Sequence, residues 1–165
     1  MKRHPGLHAL SQHHHFALTQ ALLLRRAAQA PGAKRAAAVR QAAEKFLYFW
    51  EKTGRRHFRE EEEVLLPAYA RHKRLDQDAA IMRLLADHAQ IRGQIEDLTA
   101  AVKDSSARPE GLAECVAALA QALHDHVRFE ENEVFPQMEK MLGDSALAAL
   151  GPRLTRLHSR QSCDL

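Results

Sequence analysis

Apolar residues recur at spacings of three and four along almost the whole chain. That is the period of a helix with one buried face, and no segment sustains the strict alternation of a half-buried strand. Breakers interrupt the pattern at Pro31-Gly32, around Arg74-Leu75-Asp76, from Asp104-Ser105-Ser106 to Pro109, and at Gly143-Asp144. Between them the pattern predicts helices over about 7–29, 33–72, 76–103 and 109–142, with Asp76 and Ser106 as starts and Gly143 as a stop. A shorter fifth helix is predicted over about 145–159. Short connections favour antiparallel neighbours, so the expected fold is all-α: an antiparallel up-down-up-down four-helix bundle with a short C-terminal helix. Residues 1–165 read as one domain, with a core bundle over about 5–142 and a helical tail over about 144–165.

The inward stripes carry the chemistry. The first helix presents Leu7, Leu10, His14, Ala17, Ala21 and Leu24; the second presents Leu47, Trp50, Gly54, His57, Glu61 and Val64. The third presents Ile81, Leu84, His88, Ile91, Ile95, Leu98 and Val102; the fourth presents Val116, Leu119, Leu123, His126, Glu130 and Val134. Each stripe is apolar apart from one His, and the second and fourth add a Glu one turn on. Those two turns are written alike. HFREEEEVLLP at 57–67 and HVRFEENEVFP at 126–136 align on their prolines, with both His and Glu offset by 69 residues.

A buried, unpaired carboxylate costs several kcal/mol, so it must be paired or bind a cation. No Lys or Arg shares a stripe with Glu61 or Glu130 nearby. Residues four apart on a helix project from neighbouring turns of one face, so each His–Glu pair can aim an imidazole and a carboxylate at one point. If Glu61 and Glu130 bridge two metals, each metal has two carboxylate oxygens and two of the four His nitrogens. A bridging oxide or hydroxide makes five donors and leaves one octahedral position open. Imidazole with carboxylate suits iron, manganese or zinc; the open position favours iron.

Composition changes this picture little. The eleven His stand out against six Phe, two Tyr and one Trp. A net charge of +3 with dispersed Arg does not point to nucleic acid. No apolar run is long enough to span a bilayer, and Met-Lys-Arg-His-Pro-Gly lacks the apolar core of a signal peptide. With only Cys115 and Cys163 there is no disulfide framework, and a cytoplasmic location is expected. His124, on a face with Gln121, Arg128 and Glu131, reads as solvated. The neighbours of Glu61 in the run Glu60–Glu63 read as a solvated face, as do Glu131 and Glu133, with Glu62 and Glu131 kept as alternate ligands. Phe46 to Trp50 read as core that walls the metal pocket.

These residues carry a resemblance. H-x-x-x-E-E followed by V-L-L-P or V-F-P, twice, with HHHFAL before and DHAQIRGQIEDL between, resembles the hemerythrin-like, or HHE cation-binding, proteins of bacteria across residues 5–142. The resemblance implies a four-helix bundle with a non-haem di-iron centre. It matches His57 with Glu61, His126 with Glu130, His88, and one His of the 13–15 run. The stripe selects His14, with His13 as runner-up. It implies two bridged Fe ions, with Mn or Zn as alternatives, and a small ligand such as O2, NO or peroxide. Nucleic acid and membrane are not expected partners. The oxygen carriers of the family have two His on the third helix one turn apart; here Leu84 and Arg92 flank His88 at that spacing. Ligand binding or sensing is therefore expected ahead of oxygen storage. A di-iron oxidase, peroxidase or NO-detoxifying activity is a second reading, and iron storage or a structural metal a third. The chain begins at the first helix, without the Cys-bearing segment of the family's iron–sulfur repair proteins, which disfavours that role.

Overall fold

The computed structural model describes residues 3–104 and 109–161, with side chains omitted for 109 and 155–161. A 3-10 turn, Pro5–Leu7, leads into α1, His8–Ala28. The second helix, α2, runs unbroken over 34–69. A 3-10 turn, Leu75–Gln77, precedes α3, Ala79–Lys103. The fourth helix, α4, covers 109–142 and ends where Gly143 turns to φ 69°. Only a residue without Cβ adopts that left-handed turn readily, so Gly143 is the stop the sequence predicts. The last helix, α5, occupies 144–161 and buries Leu147, Leu150 and Leu154. It seats so closely on the first turn that a Cβ at Gly6 would lie 2.1 Å from the Leu147 carbonyl oxygen.

The start of α3 differs from expectation. Asp78 is its N-cap and accepts from the Ala80 N–H at 3.1 Å. Asp76, the expected start, lies in the 3-10 turn and pairs with Arg74 at 2.7 Å. The expected start at Ser106 lies outside the described residues.

The four long helices form an all-α bundle in which α1 packs on α2 and α4, and α3 completes the ring. The stripes point inward as read. Every position is buried except Leu47 and Val102, which are half-buried. Apolar side chains gather in two clusters. One contains Ala17, Phe46, Phe58, Ile91 and Leu123; the other contains Leu7, Leu10, Val64, Leu84, Phe135 and Leu147. The His and Glu of the stripes lie between them.

Three turns are π-helical: Trp50–Gly54, Glu61–Leu65 and Glu130–Val134. The last two begin at the two stripe Glu, and each precedes a proline. Pro67 and Pro136 have no N–H to donate, and their rings crowd the carbonyl four residues back. The helix widens just ahead of them: the Leu66 N–H bonds to the Glu61 carbonyl, and the Phe135 N–H to the Glu130 carbonyl. At the first π turn Gly54 leaves room for the Trp50 ring, which a Cβ would meet at 2.4 Å.

Candidate metal centre

Helices α1 to α4 bring His14, His57, Glu61, His88, His126 and Glu130 together, each at most 5% exposed. They form two overlapping groups, His14-His57-Glu61-Glu130 and Glu61-His88-His126-Glu130. Within each group one ligand atom per residue lies within 4.8 Å of all the others. The two carboxylates are common to both groups, as the donor count requires of bridging residues.

The arrangement has an approximate two-fold pattern. Glu61 approaches Nε2 of His57 at 3.3 Å and of His88 at 3.1 Å. Glu130 approaches Nε2 of His126 at 3.3 Å and of His14 at 2.9 Å. Despite these distances, neither oxygen of Glu61 or Glu130 makes a hydrogen bond of acceptable angle among the described residues. The same holds for Nε2 of His88 and both nitrogens of His126. Buried polar atoms are nearly always satisfied, and carboxylates above all. Nε2 of His14 meets Nε2 of His57 at 2.9 Å; the other nitrogen and oxygen atoms, crowded together without bonding to one another, fit ions between them.

Outer partners orient two of the imidazoles. Nδ1–H of His14 donates to Glu131 at 2.6 Å, and Nδ1–H of His88 donates to Glu62 at 2.7 Å. An ionised carboxylate only accepts, so each Nδ1 carries a proton and Nε2 is the nitrogen that faces the centre, from which a metal would displace any proton. Arginines complete both sets. Arg3 donates to Glu131 at 2.6 Å and Arg92 to Glu62 at 2.9 Å, while Ser11 also donates to Glu131. Phe135 stacks on His14 and Phe58 on His88, with the same two arginines 5.2 Å from the respective ring centres.

Glu131 and Glu62 are thus half-buried partners of His14 and His88 rather than solvated faces, and they stand outside the two four-residue donor groups. Glu60 also departs from expectation: it is fully buried, with His13 at 3.2 Å and Arg56 at 3.4 Å. His13, Glu60 and His57 form a third, smaller group of possible metal donors. A helical stripe cannot show these roles, because the partners come from other helices. His124 is half-buried, with its side chain 44% exposed beside Asp125.

Charge follows the geometry. Burial alone would lower His14, but the adjacent Glu130 and Glu131 raise it to about 10. His88 is likewise opposed by burial and lifted by Glu61 and Glu62 to about 9. Burial, with neighbouring imidazoles, holds His57 well below its ordinary value. Burial pushes Glu130 up, but His126, His14 and His88 outweigh it and hold it at about 2.

The sequence model of the hemerythrin HHE cation binding domain matches residues 6–138. The chain belongs to that family. No curated protein and no solved structure matches it significantly. As a hemerythrin HHE domain it is a metal-binding domain, and the buried His and Glu fit a metal cofactor. No described helix is long and apolar enough to cross a membrane.

Two spaces touch the centre of this hemerythrin domain. One is an apolar pocket of about 10 Å³ walled by Ala17, Phe46, Trp50 and Phe58, with His57 and His126 at its edge. The other is a polar cavity of about 210 Å³ that reaches His126 past Arg83, Asp87 and Asp125.

Proposed function

We propose that the chain is a non-haem di-iron protein that binds or senses a small ligand such as O2, NO or peroxide. His14, His57, Glu61, His88, His126 and Glu130 would hold the metals, with Glu61 and Glu130 common to both. The observation that carries this reading is the pair of overlapping four-residue donor groups, whose carboxylate oxygens have no hydrogen bond. A metal pair here would supply an open position for reversible coordination of a small ligand. The chain's residues set what reaches it. The apolar pocket at His57 and His126 has room for about one water-sized molecule, which favours small ligands. Glu131 and Glu62 fix the His14 and His88 rings so that their Nε2 atoms stay aimed inward.

The donor set also suits manganese or zinc. Metal analysis of the purified chain decides: about two irons per chain is expected, and no metal with the fold intact overturns the reading. A change in the absorption spectrum on adding azide or NO is expected of an open centre. A closed centre, as in storage or a structural site, leaves the spectrum unchanged. The second reading, a di-iron oxidase or peroxidase, draws on the polar cavity at His126, which gives protons a route from solvent. Peroxide turnover with a reductant separates it from the first. Cys115 is a free thiol, in keeping with a reducing, cytoplasmic setting.

A further inference from the structure

Three of the four inward imidazoles are backed by the same sequence of groups. Nδ1–H of His14 donates to Glu131 at 2.6 Å, Arg3 holds that carboxylate, and the Arg3 guanidinium lies over Phe135. Nδ1–H of His88 donates to Glu62 at 2.7 Å, Arg92 holds that carboxylate, and the Arg92 guanidinium lies over Phe58. On α4, Nδ1 of His126 is turned to Asp87 of α3, Arg83 stands behind Asp87, and the Arg83 guanidinium lies 3.8 Å over Phe129.

The third set is not closed. Asp87 stops 3.9 Å from the His126 Nδ1, and Arg83 stands 3.7 Å from Asp87, both too far for a hydrogen bond. The buried Nδ1 of His126 has no other partner among the described residues. Its distance to the carboxylate exceeds the 2.6 and 2.7 Å of the closed sets by 1.3 and 1.2 Å. That is about what one methylene adds to an extended chain, and Asp87 is the one carboxylate of the three that lacks it. The gap also borders open space. Asp87, His126, Arg83 and Asp125 line the polar cavity of about 210 Å³, so the His126 ring can turn towards it without displacing the core. His57, whose Nδ1 also lacks a hydrogen bond, faces instead the apolar pocket of about 10 Å³, which has no room for a displaced ring.

We propose that Asp87 is the positioning residue of His126, and that its short side chain leaves His126 the releasable ligand of the centre. A released His126 frees a coordination position on the side of the polar cavity while His14 and His88 stay pinned. The inference rests on the reading of His126 as a metal ligand.

Asp87→Glu supplies the missing methylene, and Asp87→Met supplies similar length without an acceptor. Imidazole N–H groups are observed by proton–nitrogen NMR in the metal-free, full-length protein. In the wild type, slowly exchanging Nδ1–H signals are expected from His14 and His88 but not from His126; in Asp87→Glu the His126 signal joins them. With zinc bound, release to EDTA is expected to slow about tenfold in Asp87→Glu and to be unchanged in Asp87→Met. The proposal is overturned by the absence of the His126 signal in Asp87→Glu, by zinc release from that variant as fast as from the wild type, or by equal slowing in Asp87→Met. Failure of every chain to take up zinc overturns the metal assignment instead, and the N–H signals, read without metal, then decide the role of Asp87 on their own.

Discussion

At the scale of single residues, the centre depends on side chains that do not face it. Glu131 takes the Nδ1–H of His14 and is held by Arg3; Glu62 takes that of His88 and is held by Arg92. Loss of such an outer partner frees the ring to rotate and to change tautomer, which typically lowers metal affinity 10–100-fold. Glu131→Ala and Glu62→Ala are each expected to show a loss of about that size in competition with a chelator. Glu133→Ala, on an exposed side chain, is expected to show none. A second residue-scale prediction concerns Gly54. A Cβ there meets the Trp50 ring at 2.4 Å, and that buried ring also packs edge-on with Phe58 at 5.2 Å. Gly54→Ala is therefore expected to cost about 1–3 kcal/mol as overpacking, read from denaturant midpoints.

At the scale of elements, the first turn of α3 joins three helices through Asp78. Asp78 caps the helix, accepts from Tyr69 Oη at 2.7 Å and pairs with Lys73 at 2.9 Å, while Gln137 of α4 donates to it at 2.7 Å. Asp78→Ala removes the cap, worth about 1 kcal/mol, and strips a buried hydroxyl of its acceptor, worth about 1–3 kcal/mol more. A loss of about 2–4 kcal/mol in denaturant unfolding is expected. The same group gives a pH dependence. Burial raises Asp78, but its hydrogen bonds from Tyr69 and Lys73 prevail and hold it below its ordinary 3.8. A carboxylate depressed in the folded state adds stability above its unfolded value, and that stability is lost as pH falls through the folded one. The wild-type chain should therefore lose more stability than Asp78→Asn as pH falls from 5 towards 2. The helices and their inward faces were legible in the sequence, because burial imposes a period on one strand of text. Thus His14, His57, Glu61, His88, His126 and Glu130 could be read as inward residues that converge. The 3-10 turn that moves the α3 cap from Asp76 to Asp78 has no such period. Neither do the π turns, although Pro67 and Pro136 stand where they are needed. Glu60, Glu62 and Glu131 were misread because their partners, His13, His88 and His14, belong to other helices.

At the scale of the whole molecule, a layer of four imidazoles and two carboxylates separates two apolar clusters. Apolar packing favours closing the bundle around this layer; desolvation of Glu61 and Glu130 opposes it. A bound cation adds to the stability of the layer, because it binds the folded layer and finds no such site in the unfolded chain. Stability should then rise with free metal as RT ln(1 + [L]/Kd), about 2.7 kcal/mol at a hundredfold excess over Kd. The melting midpoint is expected to rise on metal addition and to return on chelation. Glu130→Gln separates this linkage from a general change in packing. The amide is nearly isosteric but carries no charge, so the metal-free variant loses the attraction of Glu130 to His126 and His14 and should melt below the metal-free wild type. It cannot bridge two cations, so its metal-induced shift should be small or absent. His124→Ala, whose side chain faces Asp125 away from the layer, should keep the full shift. Equal metal-induced shifts in Glu130→Gln and His124→Ala would show that the cation binds elsewhere than this layer.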